Sequence, residues 1–464
     1  MVEGRTFKPV IQTDRCHACS VCIRGCPAEL IPEYREEPKS LRGSLYRSGK
    51  AFRGTSPHAK GMVPLPPCQE ACPIHQDTKG YVGLIAKGKF KEALELIREV
   101  NPLPAVCGFI CHHLCEEACL REEVDRPIPI RLLKRFVAEY ERERGSARER
   151  PKKKRREKVL VVGSGPAGLA AANDLALLGY GVKMVEALPV LGGMLAVGIP
   201  EFRLPRDVLN MEIGGIRELG VEMRTGHRFR FEENGKALRK LGLQAAFLSI
   251  GAHRSAKLEI PGEKLKGVFP GVEFLRDLNL GRGTRIGKNV CVIGGGNVAL
   301  DVARSAIRLG AEKVSIYYRR SRDEMPAIPE EVEDAIREGV EIHFLTSPLR
   351  ILGRGERAVG MECIRMRLGE ADKTGRPRPV PIEGSAFKTQ ADMIVAAIGQ
   401  RVDRSFLKGF ETHPDGTVRV DPGTGATSVK GVFAGGDVVT GPGWAIDAIA
   451  AGKRAAVSID QYLS

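Results

Sequence analysis

The chain has 464 residues, a formal net charge of +15 at pH 7 and 42% hydrophobic residues. This length predicts about three domains, each large enough for a hydrophobic core. No uninterrupted apolar run approaches the ~20 residues of a membrane span, and residues 1–14 lack the apolar core of a signal peptide, so we expect a soluble, cytoplasmic protein. The positive charge alone does not indicate nucleic-acid binding, because no base-reading motif accompanies it.

The first predicted module, residues 1–50, is polar and contains four regularly spaced cysteines. They are separated by two, two and three residues: Cys16, Cys19, Cys22 and Cys26. This spacing, with Pro27 after it, is typical of bacterial ferredoxins, in which thiolates hold [4Fe-4S] clusters. Paired cysteines of this kind also suit tetrahedral zinc, but the third step and the proline favour iron–sulfur. Disulfides are disfavoured in a chain with no secretory signal.

Residues 51–145 show helical periodicity and contain a second group of cysteines. Short helices are predicted on either side of Gly88, and a longer helix over 130–144. Six cysteines are grouped at spacings of three residues: Cys68, Cys72, Cys107, Cys111, Cys115 and Cys119. On a helix this spacing places sulfur atoms near one face, so we expect these thiolates to bind clusters as well.

The number of cysteines bounds the number of clusters. The ten cysteines near the N-terminus fill two all-thiolate clusters with two to spare, whereas three clusters would need two other ligands. The nearby candidates are His17, His75, Gln76, His112, His113 and Glu116. Cys291 and Cys363 lie among apolar neighbours, and we predict that they are buried packing thiols.

The charged stretch 146–157 is the predicted linker to the next domain. Its basic residues, densest at 152–156, can steer an acidic redox partner. After it, strands alternate with helices, which is typical of a parallel α/β sheet. The predicted strands cover 158–162, 181–186, 289–293 and 313–318, and the predicted helices cover 167–178 and 298–309.

The turn after the first strand reads Gly163-Ser164-Gly165-Pro166-Ala167-Gly168. In a dinucleotide-binding turn the first glycine makes the bend, the second admits a pyrophosphate and the third lets the helix pack on the strand. The helix N-terminus supplies unpaired N–H donors for the phosphates. Glu186 lies at the spacing expected of an acid that accepts from a ribose hydroxyl.

A second turn of this type reads Gly294-Gly295-Gly296-Asn297-Val298-Ala299. The following strand ends in Arg319 and Arg320 rather than in an acid. Guanidinium groups bind a 2′-phosphate in a forked geometry, so the sequence predicts NADPH rather than NADH. The alternative is a basic turn that is merely solvated.

A third glycine-rich stretch, residues 431–437, ends in Gly436 and Asp437. A short apolar strand of this kind brings backbone close to a flavin, and the carboxylate can hold a ribityl or pyrophosphate hydroxyl. A helix predicted over 444–456 would direct its positive N-terminal dipole at the isoalloxazine and stabilise a reduced flavin.

Residues 64–464 resemble the small (beta) subunit of NADPH-dependent glutamate synthase. They are also similar to the N-terminal half of dihydropyrimidine dehydrogenase and to the large subunit of the electron-bifurcating ferredoxin:NADP oxidoreductase. The motifs that carry this resemblance are residues 191–195, 198–205, 294–304 and 318–326.

The resemblance implies an α/β protein with two Rossmann-like domains, the NADPH domain being inserted in the FAD domain. A mainly helical iron–sulfur domain and a small ferredoxin-like N-terminal module precede them. The implied boundaries are 1–50 for the ferredoxin-like module, 51–145 for the helical domain, 146–157 for the linker, 158–283 and 397–464 for the FAD domain, and 284–396 for the NADPH domain.

The resemblance also implies the cofactor contacts. For FAD these are Gly163, Ser164, Gly165, Pro166, Ala167, Gly168, Glu186, Gly193, Met194, Leu195, Arg203, Gly251, Gly436, Asp437, Ala445 and Ile446. For NADPH they are Gly294, Gly295, Gly296, Asn297, Val298, Ala299, Arg319 and Arg320. Hydride passes directly between nicotinamide and flavin, so no catalytic side chain is expected.

Three departures from the pattern concern the clusters. The stretch 59–67 lacks a cysteine pair that the relatives have, Lys134 stands where they place a Gln or Glu ligand, and the run from Cys16 to Cys26 is additional. Either this run supplies the missing thiolates or it binds a separate cluster.

We therefore expect an NADPH-dependent flavin and iron–sulfur oxidoreductase subunit that exchanges electrons with a partner redox subunit or a ferredoxin-like acceptor. One alternative is a self-sufficient NADPH:ferredoxin-type oxidoreductase, with or without bifurcation. Another, of a different class, is a non-catalytic iron–sulfur adaptor or redox sensor. The final acceptor and the direction of electron flow stay open, because cluster potentials depend on hydrogen bonds that a sequence does not display.

Overall fold

A computed structural model describes residues 65–142, 154–231, 238, 242–283, 285–372 and 375–464. The run from Cys16 to Cys26 and most of the predicted linker therefore lie outside the described residues. The chain divides into two compact units. In its described part the smaller unit comprises residues 65–100 and 113–133, and the larger comprises Asn101–His112 and the residues from Lys134 onward.

The helices of the described residues, in chain order, are α1 Pro67–Glu70, α2 Thr78–Ala86, α3 Phe90–Arg98, α4 Pro104–Ile110, α5 Leu114–Glu117, α6 Ile130–Arg142, α7 Pro166–Leu177, α8 Met194–Val197, α9 Arg206–Glu218, α10 Gly271–Asn279, α11 Asn297–Arg308, α12 Pro329–Arg337, α13 Asp437–Thr440 and α14 Ala445–Leu463; 3₁₀ turns cover Leu120–Glu123 and Arg404–Phe406.

The strands are β1 Lys158–Val162, β2 Gly181–Val185, β3 Glu222–Arg224, β4 Ala245–Leu248, β5 Arg254–Ser255, β6 Val268–Pro270, β7 Asn289–Ile293, β8 Lys313–Tyr317, β9 Glu341–His343, β10 Thr346–Arg354, β11 Arg357–Ala371, β12 Pro377–Pro381, β13 Phe387–Gln390, β14 Met393–Ala396, β15 Gln400–Arg401 and β16 Val432–Ala434. The strands and helices predicted around the two glycine-rich turns are confirmed to within one residue at each end.

The smaller unit is helical, as predicted. Helix α2 begins after Asp77, whose carboxylate accepts a hydrogen bond from the Gly80 N–H at 2.9 Å and so caps the helix. Gly88, at φ +71°, separates α2 from α3. The fully buried Tyr81 donates its hydroxyl to the Ile130 carbonyl at 3.2 Å, which ties α2 to the start of α6.

In the larger unit, the first sheet is entirely parallel, with strand order β16-β4-β1-β2-β3. Its edge strand β16 comes from the C-terminal part of the chain, which shows that a segment between β4 and β16 forms an insertion. Helix α14 packs very closely on α7, because a Cβ atom on Gly452 would lie only 2.1 Å from the Ala167 carbonyl oxygen.

The insertion contains a second parallel sheet with strand order β6-β14-β7-β8-β9. Strand β6 pairs with β14 in this sheet, although it precedes residue 284, the predicted start of the NADPH domain. An antiparallel sheet follows, in which β11 pairs with β10, β12 and β13.

Strand β12 contains Pro377, Pro379 and Pro381 at alternate positions. It pairs with β11 and with no other described strand. Just beyond it, the Ile382 N–H donates to the Arg365 carbonyl at 2.9 Å, so the even-numbered N–H groups face β11. The prolines therefore stand on the outer side of the strand.

Cys291 and Cys363 are 3% and 0% exposed and belong to one apolar cluster between the second parallel sheet and the antiparallel sheet. Burial raises the pKa of each thiol to about 12. The prediction that both are packing residues is confirmed. Among the helices of the described residues, none has both the length and the apolarity needed to cross a bilayer.

Candidate dinucleotide and redox site

The first glycine-rich turn of the larger unit lines a cavity of about 540 Å³, and Asn297 and Val298, which follow the glycines of the second turn, line it as well. The predicted cofactor residues that line it are Gly163, Ser164, Gly165, Pro166, Ala167, Glu186, Gly193, Met194, Leu195, Arg203, Gly251, Asn297, Val298, Gly436, Asp437 and Ala445. Parallel strands bring their carboxyl ends to a common edge, which is where ligands bind in open α/β sheets.

The first turn has the backbone that a pyrophosphate site needs. Gly163 adopts φ +102°, and a Cβ atom there would lie 2.4 Å from the Ser249 carbonyl oxygen. Gly168 does not line the cavity but holds α7 against β1, because its Cβ atom would lie 2.0 Å from the Gly163 carbonyl oxygen. At Gly165 nothing lies within 4 Å of such an atom, so the space beside the α7 N-terminus fits a phosphate group.

Glu186 fixes this turn through several hydrogen bonds. One carboxylate oxygen accepts from the Ser164 N–H at 2.9 Å and from the Ser164 hydroxyl at 2.6 Å, and the other accepts from the Leu188 N–H at 2.9 Å. The Ser164 hydroxyl oxygen in turn accepts from the Gly192 N–H at 3.0 Å. A carboxylate has about four acceptor positions, so Glu186 keeps capacity for a ribose hydroxyl.

Arg206 orders the loop that contains Gly193, Met194 and Leu195. Its guanidinium donates to the carbonyls of Leu195, Ile199 and Leu204 at 3.1, 2.5 and 3.2 Å and to the Asn279 side chain at 3.0 Å. Asn279 also donates to the Val197 carbonyl at 3.0 Å, which ties the loop to α10. Sequence reasoning missed both residues, since an arginine in the first turn of a helix is ordinary.

Arg203 was predicted to bind FAD, but its guanidinium is held by carboxylates of the insertion. It donates to both Asp301 oxygens at 3.0 and 2.9 Å and to Glu331 at 2.9 Å. Glu331 also pairs with Arg304. Arg203 and Asp301 both line the cavity and are 8% and 4% exposed at the side chain. Arg203 therefore joins the two nucleotide-binding sheets. Burial raises the pKa of the Asp301 carboxyl to about 6, although the positive charge of Arg203 opposes this shift.

Asp437 begins α13 after Gly436, which adopts φ +74°. Burial raises the pKa of its carboxyl to about 6; the Gly443 N–H, which donates to it, opposes that shift. The arrangement fixes the turn that leads into α14 and leaves the carboxyl at the cavity wall, where it can accept from a flavin hydroxyl.

Replacing Asp437 with Asn should make the flavin-free protein less sensitive to pH. The folded wild type keeps the Asp437 proton up to about pH 6, whereas the unfolded chain loses it near pH 4, so the wild-type free energy of unfolding falls as pH rises between these values. The Asn variant lacks this fall and should exceed the wild type by about 3 kcal/mol above pH 7, with little difference below pH 4. Urea unfolding at several pH values measures the free energy of unfolding of both proteins. A difference between them that is the same at all pH values would contradict the raised pKa of Asp437.

The second turn is built like the first. Gly294 adopts φ +144° and approaches the Ala397 carbonyl oxygen, to which a Cβ atom would lie at 2.2 Å. Gly295 lies against the Tyr318 ring, and at Gly296 nothing lies within 4 Å of a Cβ position, so a phosphate fits beside the start of α11. Ala299 and Ile446 are fully buried in the packing behind the cavity.

The two arginines predicted to bind the 2′-phosphate differ in environment. Arg319 is exposed. Arg320 is 7% exposed and donates to the Pro377 carbonyl at 2.9 Å and to Asp372 at 2.8 Å. Arg320 thus anchors the start of β12, a partner that lies more than 50 residues away and that sequence reasoning could not supply.

We expect Arg319→Ala to weaken NADPH binding about tenfold or more while NADH binding changes little, because a forked contact to a phosphate contributes about 1.5–3 kcal/mol. Arg320→Ala is the matched comparison and should lower stability with a smaller effect on the NADPH-to-NADH preference. Dissociation constants for both nucleotides, measured on both variants, test this. Equal losses of both nucleotides in Arg319→Ala would contradict the phosphate role.

Several cavity residues were not among the predicted site residues, among them His253, Arg254, Arg276 and Trp444. Burial lowers the His253 pKa, which favours the neutral imidazole. Arg254 pairs with Asp403 at 2.8 Å. No local pattern marks these positions, because long-range packing brings them to the cavity.

The described cysteines are all free thiols. Cys68, Cys72, Cys115 and Cys119 belong to the smaller unit, and Cys107 and Cys111 to the larger. Burial raises the Cys107 pKa to about 12 against the opposing charge of the buried Lys134, and the Cys107 thiol lies 3.8 Å from the Asn101 side-chain oxygen. Free thiols, of which Cys72, Cys107 and Cys115 are buried, have the donor chemistry of iron–sulfur ligands.

The candidate non-cysteine ligands are placed differently from one another. Glu116 accepts from the Arg131 N–H at 2.6 Å, and His112 stacks on Trp444. Gln76 is 1% exposed, and neither atom of its amide has a hydrogen-bond partner among the described residues. Within the same residues, no three His, Cys, Asp or Glu side chains converge as they would on a single metal ion. In a cubane each thiolate binds a different iron, so its ligands surround a larger volume.

Two family descriptions match the chain. Pyridine nucleotide-disulphide oxidoreductase matches residues 157–452, and the 4Fe-4S cluster domain II of dihydropyrimidine dehydrogenase matches residues 63–146. Among solved structures, FprA of Mycobacterium tuberculosis in complex with NADPH aligns with a TM-score of 0.56 at 20% identity, over 67% of this chain and 84% of that one. Thioredoxin reductase of T. acidophilum aligns with a TM-score of 0.51 at 22% identity, over 66% of this chain and 98% of that one. These likenesses show the fold.

Relatives with higher identity include the beta subunit of NADP(+)-dependent formate dehydrogenase from Moorella thermoacetica, 47% identical over 89% of this chain and 63% of that protein. The beta subunit of NADPH-Fe(3+) oxidoreductase from Geobacter sulfurreducens is 41% identical over 86% and 63%. The chain thus spans less than two thirds of these two relatives. The glutamate synthase [NADPH] small chain of Azospirillum brasilense is 32% identical over 86% of each chain.

The expected FAD- and NADPH-binding domain and the [4Fe-4S] domain are thereby confirmed. From the two dinucleotide turns, the shared cavity, the cysteine-rich helices and these matches, the chain belongs to the family of NADPH-dependent flavin and iron–sulfur oxidoreductases that includes the glutamate synthase small chain.

Proposed function

We propose that this chain is the subunit of a multi-subunit oxidoreductase that exchanges electrons between NADPH, FAD, [4Fe-4S] clusters and a partner subunit. One observation carries the proposal. Residues 163–167 of the first dinucleotide turn, Asn297 and Val298 of the second, and Ile110, from the segment that contains Cys107 and Cys111, line the same cavity. Nicotinamide, flavin and a cluster would then lie in sequence around one cavity.

Each part of the cavity has a separate task in this proposal. The α7 N-terminus and Gly165 hold the flavin pyrophosphate, Glu186 holds its ribose and Asp437 holds a hydroxyl beside the isoalloxazine. The α11 N-terminus and Gly296 hold the NADPH pyrophosphate, and Arg319 holds its 2′-phosphate. The bound flavin would supply the change from hydride chemistry to single-electron chemistry. Positioning of the two cofactors would replace any side-chain acid or base.

The names of the relatives support a partner subunit. Two of them are beta subunits, of a formate dehydrogenase that uses NADP(+) and of an NADPH-Fe(3+) oxidoreductase. The first name implies that electrons flow toward NADP(+), and the second implies that they flow away from NADPH. The proposal therefore covers both directions of electron flow. We place the complex in the cytoplasm.

The test begins with anaerobic purification and analysis of the metal content. Two clusters correspond to about eight iron atoms per chain and three to about twelve. About twelve iron atoms would assign a separate cluster to the run from Cys16 to Cys26. About eight would favour the alternative that this run supplies thiolates to the clusters of the helical domain. NADPH should then bleach the flavin absorbance and produce the electron paramagnetic resonance (EPR) signal of reduced clusters.

Other outcomes would favour the other functions. Full activity with ferredoxin, without a co-purifying polypeptide, would indicate a self-sufficient oxidoreductase. Protein with a full complement of flavin and iron but without NADPH-dependent bleaching would refute the enzymatic proposal and indicate an adaptor or redox sensor.

A further inference from the structure

The single tryptophan of the chain lies at the wall of the cavity. Trp444 immediately precedes α14 and caps it through its carbonyl, which accepts from the Ala448 N–H at 3.1 Å. Its indole stacks on the imidazole of His112, with ring centroids 4.2 Å apart and ring planes inclined by 12°. This is a nearly parallel stack at close contact.

The other ring of the stack belongs to the cysteine-bearing segment. His112 is 8% exposed and directly follows Cys111 in the chain. Ile110, just before that cysteine, lines the cavity. From the cavity wall to the Cys111 thiol the path therefore consists of two stacked rings and a single peptide unit.

Backbone contacts fix the position of Trp444. The Gly443 N–H donates to Asp437, which is itself a cavity residue. Gly436 and Gly441, at φ +74° and φ +77°, make the bends on either side of α13. The turn that presents the indole is thus tied to the residue expected to hold the flavin.

We propose that the Trp444–His112 stack is the contact through which electrons pass between the flavin in the cavity and the cluster bound by Cys111. This inference rests on the proposed function and adds to it the residues that connect the two cofactors. Electron transfer between cofactors slows as the distance between them grows, and the two stacked rings would span part of the distance between the cavity and the cluster.

The electrons balance as follows. The C4–H bond of NADPH breaks, a hydride forms the N–H bond at flavin N5, and NADP⁺ leaves. The reduced flavin then gives up two electrons one at a time, each of which converts one ferric ion of a cluster to the ferrous state, and its proton goes to water. A one-electron acceptor of the redox-protein class reoxidises the clusters. Trp444 and His112 are not oxidised at any stage.

The experiment compares Trp444→Leu, which removes the ring, with Trp444→Phe, which keeps a smaller one. Tyr462→Leu is the matched control, because it removes a 45% exposed aromatic ring from α14, at the end of the helix far from Trp444. Each anaerobic holoprotein is mixed with NADPH, and two rates are followed: the bleaching of the flavin and, by freeze-quench EPR, the reduction of the clusters.

We compare only holoprotein that is fully loaded with flavin and clusters, and in each protein the rate of cluster reduction is read relative to the rate of flavin reduction. In Trp444→Leu the clusters should be reduced roughly an order of magnitude more slowly than in the wild type. The rate in Trp444→Phe should lie between those of the wild type and Trp444→Leu, and the rate in Tyr462→Leu should equal that of the wild type. His112→Leu should reproduce the effect from the other side of the stack. Trp444 emission gives an independent signal, because an indole in contact with a flavin should be quenched in the wild-type holoprotein and recover when the flavin is released.

Cluster reduction at the wild-type rate in a fully loaded Trp444→Leu protein would overturn the inference. Equal slowing of flavin and cluster reduction would also overturn it, because the residue would then only position the flavin. If Trp444→Leu does not assemble, the same two rates in Trp444→Phe and His112→Leu decide the question. Wild-type clusters that NADPH never reduces would instead refute the proposed function.

Discussion

Gly168→Ala should abolish stable FAD retention. The new methyl group would lie 2.0 Å from the Gly163 carbonyl oxygen and 2.8 Å from the Ser249 hydroxyl, and the nearest of these atoms belongs to rigid backbone. Helix α7 must therefore move away from β1, which displaces the N–H groups at its N-terminus from the pyrophosphate site. We expect a loss of about 2–3 kcal/mol in the free energy of unfolding, which is typical of an overpacked interior. Flavin content after gel filtration and urea unfolding measure the two effects.

Gly214→Ala is the control for this substitution. Gly214 is also a helical glycine, in α9, but nothing lies within 4 Å of its Cβ position. The same change should therefore raise stability by about 0.5–1 kcal/mol, the difference in helix propensity, and leave flavin content unchanged. A Gly168→Ala protein that retains flavin as well as Gly214→Ala does would show that the close approach of α7 to β1 is not required.

Arg203→Ala should destabilise the larger unit by about 3–5 kcal/mol at neutral pH, because it leaves the buried Asp301 carboxylate without its main counter-charge. The loss should be smaller near pH 5. The Asp301 pKa is already raised to about 6 in the wild type, and without Arg203 it rises further, so the carboxyl takes up a proton and becomes neutral. Urea unfolding at both pH values tests this, and hydride transfer should slow as the two nucleotide-binding sheets lose a shared anchor.

Two further proteins separate this effect from a general loss of charge. Adding Asp301→Ala to Arg203→Ala should recover part of the stability, because the buried charge is then gone as well. Lys266→Ala removes an ion pair with Glu356 whose side chains are 77% and 81% exposed, and it should change stability by no more than about 1 kcal/mol. Equal losses in Arg203→Ala and Lys266→Ala would disprove the special role of the buried pair.

The glycine-rich turns could be predicted from sequence because their requirements are local. Gly163 and Gly294 each make a close backbone approach with positive φ, and each lies directly between a strand and a helix. The spacing of Glu186 from the first turn is local as well. Such features depend on neighbouring residues and on the standard geometry of a parallel sheet, so the fold class follows from them.

The contacts that complete the site could not be predicted in this way. Arg203 meets Asp301 across 98 residues of sequence, and Arg206 meets Asn279 across 73. The stack of His112 on Trp444 joins more distant residues still. Any arginine has many acceptable carboxylates in a chain of this charge, and only the three-dimensional arrangement selects one.

The alternating prolines of β12 have a consequence for how this protein meets other proteins. An exposed strand usually offers a row of amide hydrogens with which an incoming chain can continue a sheet. Here the outward amides are replaced by pyrrolidine rings at Pro377, Pro379 and Pro381, so this border offers no such row. Neither a second copy nor another polypeptide can extend the sheet there, and recognition at this border must use side chains.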